Sequence, residues 1–201
     1  MQSAEKIRER YEKICEQVGT GVTIVAATKY VSIDEMSVLA EAGIELVGEN
    51  RAQDLVAKRA RYAASFRWHF IGHLQSRKAP LVSESCELCH SLASESALAQ
   101  LTIPALVEVN LSGEESKSGV ALSQLEGFLA RCAEAGVEIR GLMTMPPLTG
   151  DPEVSRPYFR QLRELAERFD LAELSMGTSQ DYLVAAEEGA TYVRLGNVLW
   201  S

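Results

Sequence analysis

TIVAATKY, residues 23–30, sets an apolar, β-branched run against a single lysine, Lys29, close to its end. Ile24 and Val25 are residue types that a strand buried on both faces uses, and Ser32-Ile-Asp-Glu35 behind them has the capping-box spacing that opens a helix. Lys29 therefore falls in a strand-to-helix turn, where α/β proteins place their chemistry. A lysine taken at random is most often a solubility residue that snorkels to water. The apolar ground before this one, and the polar clusters at later strand ends, argue for more. In a partly dry pocket its amine would lose ammonium character, and the neutral amine is the nucleophile that forms Schiff bases with aldehydes.

Outward from this stretch the chain alternates. Strands are expected at 22–28, 45–47, 66–71, 86–92, 105–110, 138–142, 171–174 and 191–195. Between them fall a helix over 33–42 that ends at Gly43, one with Ala52, Leu55, Val56 and Ala63 on its inner face, and a short one limited by Pro80. A helical stretch over 94–101 and a helix bearing Leu122, Leu125, Phe128, Leu129 and Cys132 follow. A longer helix starts at Asp151-Pro152 and turns Val154, Tyr158, Leu162, Leu165 and Phe169 inward, and the last runs over 180–188. An amphipathic helix over 3–18, with Ile7, Tyr11, Ile14 and Val18 on one face, precedes them all. Glu41-Ala-Gly43, Glu134-Ala-Gly136 and Glu187-Glu-Gly189 repeat one helix-to-strand junction. Eight such units predict a single (β/α)8 TIM barrel over residues 1–201 with an extra N-terminal helix. A doubly wound sheet is disfavoured, because no G-x-G-x-x-G follows strand one.

With 201 residues, 46% hydrophobic and 24% charged, the chain is neither disordered nor membrane-like. A net charge of -8 argues against nucleic acid as a partner, and Lys58-Arg59-Ala60-Arg61 is read as decoration of a helix C-terminus. No apolar run is long enough to span a membrane and no signal-peptide core is seen, so a cytoplasmic setting with reduced cysteines is expected. Cys86-Glu-Leu-Cys89-His90 fits the haem-attachment pattern, but it is read as a strand and its histidine as a satisfied core residue. His69 and His73, four apart, are a possible metal pair without a carboxylate companion, and Glu114, Glu115 and Lys117 read as a solvated loop. The acidic surface, with no evident apolar patch, leans towards a monomer.

A barrel would bring Lys29, Asn50, His73, Asn110, Met143, Ser175 and Arg194 around one pocket. The seventh and eighth strand ends carry Ser175-Met-Gly177-Thr-Ser179 and Gly196-Asn197, hydroxyls and backbone donors of the kind that bind phosphate. Taken singly, the serines are equally turn or cap residues, Ser179 for the following helix. Arg194, inside the apolar strand TYVRLG, needs a partner if it faces the barrel. A lysine, a phosphate nest and an arginine near the ring nitrogen are what pyridoxal 5'-phosphate (PLP) requires. An arginine there disfavours a protonated ring and weakens the electron sink.

AATKY, VGENRAQDL, WHFIGHLQSRK, HSLAS, VEVNLSGEESKSGV, GLMTMPP, LSMGTSQDY and VRLGNVLW, in order along the chain, resemble the pyridoxal phosphate homeostasis protein family, single-barrel relatives of the alanine racemase N-terminal domain. The resemblance implies a fold-type III barrel that binds PLP as a Schiff base on Lys29. The cofactor-binding set it implies is Lys29, Asn50, Met143, Ser175, Met176, Gly177, Arg194, Gly196 and Asn197, with no catalytic residue and no metal. It also implies a carrier or buffer of the cofactor that affects vitamin B6 and amino-acid balance, with apo PLP-dependent enzymes as transient partners. Thr178 departs from a common methionine, and Asn197 from a threonine, which leaves one phosphate contact open. A chain ending at Trp200-Ser201 is expected to lack the second domain that supplies alanine racemase with its catalytic tyrosine. The alternatives are a weak PLP-dependent racemase with Lys29 as base, and a phosphosugar enzyme with Lys29 as an aldolase lysine.

Overall fold

The computed structural model describes residues 2–114 and 118–200; Glu115 and Lys117, expected in a solvated loop, lie outside the described residues. The strands are β1 (Thr23–Ala27), β2 (Leu46–Glu49), β3 (Arg67–Phe70), β4 (Leu88–Leu92), β5 (Ala105–Asn110), β6 (Val120–Ala121), β7 (Ile139–Met143), β8 (Glu173–Thr178) and β9 (Tyr192–Leu195). Among the described residues, all of these except β6 close into one parallel ring of eight, β1-β2-β3-β4-β5-β7-β8-β9, with β9 returning to β1. The two-residue β6 pairs with the end of β5 outside the ring, and periodicity over two residues could not announce it. Around the ring lie α1 (Ala4–Val18), α2 (Met36–Glu41), α3 (Ala52–Tyr62), α4 (Ala79–Ser85), α5 (Glu95–Leu98), α6 (Leu125–Glu134), α7 (Arg156–Arg168), α8 (Tyr182–Glu187) and α9 (Asn197–Trp200). No described helix is long and apolar enough to cross a membrane.

Local chemistry explains most of these boundaries. Ser32 and Glu35 make the reciprocal capping-box bonds, Ser32 N–H to the Glu35 carboxylate at 2.9 Å and Glu35 N–H to Ser32 Oγ at 3.4 Å. They enclose a turn, so α2 starts only at Met36. Gly43, Gly136 and Gly189, at the three repeated junctions, all have φ in the left-handed region. Pro80 opens α4 instead of limiting a helix, since its missing N–H is harmless in a first turn. β8 runs through Ser175 to Thr178, beyond the expected end at 174, and α9 at the chain's end was not expected at all.

Two helix faces differ from expectation by a shift of phase. α3 buries Ala52, Leu55 and Lys58, with Val56 and Ala63 exposed. α7 buries Phe159, Leu162 and Ala166, and Val154 is exposed. Lys58 is thus no C-terminal decoration. Its Nζ donates to Thr28 O at 2.7 Å and to the buried Glu49 carboxylate, which also accepts from Thr28 Oγ1 at 2.6 Å and Asn50 N–H at 3.1 Å. This ion pair ties α3 to the ends of β1 and β2.

Side chains alternate across each strand. Outward residues such as Val47, Phe70, Val107 and Leu195 join the large core beneath the helices. Inside the ring stand two small apolar groups, Val25 with Leu46 and Ile71, and Leu88 with Leu106 and Met143. The rest of the interior is polar. Arg194 Nη1 donates to Ser175 Oγ at 2.6 Å, His90 Nδ1 lies 2.7 Å from the same oxygen, and His90 Nε2 lies 2.9 Å from His69 Nδ1. Guanidinium groups only donate, so the Ser175 proton is best used towards His90 Nδ1, which makes His90 Nε2–H the donor to His69. Tyr192 packs against the edges of both imidazoles. Burial pushes His69 down to about 3, helped by Arg67 and Arg140, and holds His90 well below its ordinary value, helped by His69 and Arg194.

Two outcomes are expected. Neutral imidazoles in the native state can charge in the unfolded chain, which then binds more protons below about pH 6.5. The folded value lies below the unfolded one, so stability is full above that pH and declines towards about pH 3 as the histidines meet protons. The urea midpoint should drop from about pH 7 to about pH 5, and His69→Gln should flatten the change; a level midpoint in the parent chain would contradict neutral imidazoles. Lys58→Met leaves Glu49 buried and unpaired and should cost about 3–5 kcal/mol in urea unfolding, with Lys58→Met/Glu49→Gln recovering part of it. A loss below about 1 kcal/mol would show that the pair does not anchor α3.

Candidate functional site

The C-terminal ends of the strands surround a cavity of about 350 Å³. Ala27 and Ile71 give it apolar floor, Arg194 rises from within the barrel, and Asn50, Thr178, Ser179, Gln180, Gly196 and Asn197 supply polar walls. Lys29 stands at the edge. It is exposed, which corrects the expectation of a partly dry pocket: it lies two residues beyond β1, on the open turn towards α2. Its Nζ sits 4.6 Å from the Tyr30 ring centroid. The turn beneath is fixed by Lys58, whose Nζ holds the Thr28 carbonyl. An exposed amine therefore rises from a base that the Lys58–Glu49 pair holds.

Arg194 is 5% exposed and has the partners that its place in an apolar strand demanded, Ser175 Oγ and, from Nη2, Thr144 O at 3.1 Å. Burial pulls its guanidinium down to about 10, opposed by the charges of Glu108 and Asp181. Glu108 is itself raised, chiefly by burial, while a 2.5 Å bond from Ser118 Oγ works the other way. Just beyond Arg194, Ser179 Oγ accepts from Gly196 N–H at 3.2 Å, joining the turns after β8 and β9. Ser179 does not cap the following helix; the residue before α8 is Asp181, whose carboxylate makes no capping bond and accepts from Thr178 N–H at 2.7 Å and Thr178 Oγ1 at 3.2 Å.

The structure brings Lys29, Asn50, Arg194, Gly196 and Asn197 together and places the other expected residues elsewhere. Met143 is buried with Leu88 and Leu106 inside the barrel. Ser175 is buried beside Arg194, a β8 strand residue and not a loop donor. Met176 faces the outer core. Gly177 has φ 88°, and a Cβ there would stand 2.5 Å from that of Ala185, so this glycine lets α8 approach β8. His69 points into the barrel while His73 is exposed in the turn after β3, and they do not form a pair; among the described residues no cluster of three metal-ligating side chains occurs. Asn110 shapes its own loop, accepting from Gly113 N–H and Ser112 Oγ, both at 3.1 Å.

Sequence reasoning missed Lys58, Tyr30, Met145, Leu148 and Gln180. Lys58 was findable, because it continues the stripe of Ala52 and Leu55 at a spacing of three. The other four depend on how the turns fold back. Tyr30, Met145 and Leu148 are exposed, the last by 87%, and all line the cavity, so the surface does carry an apolar rim where no patch was expected.

The model of the alanine racemase N-terminal domain matches residues 3–201. The pyridoxal phosphate homeostasis protein of Aquifex aeolicus is 37% identical over 215 residues, which cover 97% of this chain and 94% of that protein. The protein of that name from Vibrio cholerae is 31% identical, over 96% of this chain and 90% of its own. Among solved structures, PipY of Synechococcus elongatus PCC7942 with PLP bound superposes with a TM-score of 0.88 at 30% identity, covering 97% of this chain and all of that one. The closed parallel ring, the strand-end cavity and these matches along nearly the whole chain place the protein in the alanine racemase N-terminal domain family, among the pyridoxal phosphate homeostasis proteins.

Proposed function

We propose that this chain binds PLP in the strand-end cavity and carries or buffers the cofactor, with no turnover of a substrate. The observation that carries the reading is the convergence of an amine, a buried guanidinium and hydroxyl and amide donors on one cavity of about 350 Å³. Asn50 supports the fit: its Oδ1 is buried without a hydrogen-bond partner, and a polar ligand would satisfy it. In this reading Lys29 Nζ holds the aldehyde as a Schiff base with loss of water, and Ser179, Gly196 and Asn197 hold the phosphate. Ser175 acts through Arg194, while Met143, Met176 and Gly177 shape the strands below. When bound, PLP supplies an aldehyde and an electron-withdrawing ring. Arg194 faces the ring nitrogen; a guanidinium offers hydrogens and no acceptor, so it keeps that nitrogen unprotonated and the sink weak.

The relatives' names point the same way, since they are called homeostasis proteins, and PipY holds PLP. The reading takes residues 1–201 as one barrel domain, monomeric and cytosolic, that passes the cofactor to apo PLP-dependent enzymes and so affects vitamin B6 and amino-acid balance.

The test is the absorption spectrum of the purified protein with PLP, before and after borohydride reduction. A visible band is expected that reduction fixes on the peptide containing Lys29 and that Lys29→Ala lacks, with no amino-acid racemisation above background. Protein that stays colourless with added PLP would sink the reading, and turnover that depends on Lys29 would replace the carrier with an enzyme.

A further inference from the structure

Beside the cofactor cavity, on the far side of Asn50, lies a smaller recess of about 110 Å³. Its lining brings together Arg51, His73 and Lys78, with the amides of Asn50, Gln53 and Gln75, and no carboxylate is among the lining residues. That is unusual on a chain with 28 acidic and 20 basic residues. Several arginines elsewhere are answered by carboxylates, as Arg61 is by Asp34 at 2.6 Å and Arg67 by Glu87 at 2.9 Å. The charge of Glu108 does reach His73 from the barrel mouth, but Glu108 is bonded to Ser118 and lines neither space.

The backbone builds this recess. β2 and β3 pair with Glu49 opposite Phe70, and Ile71 N–H donates to Glu49 O at 2.9 Å, so the turns that follow run side by side. A Cβ on Gly72 would stand 2.0 Å from Asn50 O, so only glycine lets the two turns touch and set Arg51 next to His73. Lys78 N–H donates to Gln75 O at 2.8 Å, closing the short turn that brings Lys78 back to the same place. Arg51, Lys78 and the imidazole of His73 thus face one recess that no carboxylate lines, a set of donors that an oxyanion can meet together.

We infer that this recess is an oxyanion subsite, which receives a carboxylate or phosphate group of a small metabolite lying across Asn50 beside the bound cofactor. The inference rests on the PLP reading for its neighbour. Arg51 is the forked donor suited to either oxyanion, Lys78 the point charge, and the amides set the orientation. A ligand held there would crowd the Lys29 side of the cavity, so its concentration would bear on how readily cofactor leaves.

The experiment is calorimetric titration of sodium phosphate, and separately of succinate, into the PLP-loaded full chain. Saturable binding of at least one is expected, weakened about tenfold or more in Arg51→Gln/Lys78→Gln and by less in Arg51→Lys, which keeps the charge and loses the fork. PLP affinity, followed by absorbance, should stay within about twofold in all three proteins. Binding of phosphate alone assigns a phosphomonoester, and of succinate alone a carboxylate. Absence of saturable heat with both, or equal affinity in the double variant, overturns the inference. If the chain takes up no PLP, the same titrations on the unloaded chain and on unloaded Arg51→Gln/Lys78→Gln still read the recess, because heat from the main cavity survives the double variant and heat from the recess does not, so the two failures are told apart.

Discussion

A guanidinium inside a barrel has to be compensated, and the interior of this one is arranged around Arg194. Moving a charge out of water carries a penalty of several kcal/mol unless hydrogen bonds and counter-charges offset it. Thr144 O and Ser175 Oγ accept from the guanidinium, and Glu108 and Asp181 favour its charge. Ser175 Oγ–H then donates a hydrogen bond to His90, and His90 Nε2–H one to His69, so the polarisation started by the cation runs through neutral rings inside the barrel. Barrels of this class usually fill their interior with branched apolar layers. Here the apolar layers shrink to two small groups because β3, β4, β8 and β9 each give an inward position to this chain.

The same constraint explains what could be read beforehand. Strand existence and order were legible because outward-facing Val, Ile and Leu recur at regular intervals, and β5 was placed to the residue over 105–110. Strand ends were less legible where polar residues belong to the strand. Ser175 looks like a turn residue in a linear reading, but its backbone pairs with Met143 and Tyr192 and its hydroxyl meets Arg194, nineteen positions away. Helix phase failed for a related reason: in α3 the inward position falls to a lysine, which hydropathy ranks as surface, and its acidic partner lies nine residues back on β2.

On the PLP reading, Lys29 and Lys58 divide two requirements that a single lysine could not meet. An amine that is to exchange an aldehyde has to be reachable by water and by an incoming group, so it needs exposure and freedom of rotation. The turn that presents it has to be fixed, or the amine would not stay over the cavity. Lys58 supplies the fixed part through Glu49 and the Thr28 carbonyl, and Lys29 the exposed part. The linear sequence drew attention to Lys29 because it follows the apolar strand; the residue that defines its position lies twenty-nine places further on.

On the PLP reading, the balance between holding and turning over the cofactor would follow from this arrangement. Catalysis gains most where water is excluded and the reacting centre is enclosed by preorganised groups. The exposed Lys29, with the apolar side chains of Tyr30, Met145 and Leu148 standing open at the rim, has the opposite character. Below, Arg194 is locked as a donor by its own acceptors, so it has no means of supplying the protonated ring on which strong carbanion chemistry depends. An open mouth lowers the barrier to release, and a fixed guanidinium limits what happens before release. On the PLP reading both tilt the site towards exchange, and an oxyanion beside Asn50 would act on that step because it shares a wall with the cavity and touches neither Arg194 nor the phosphate end.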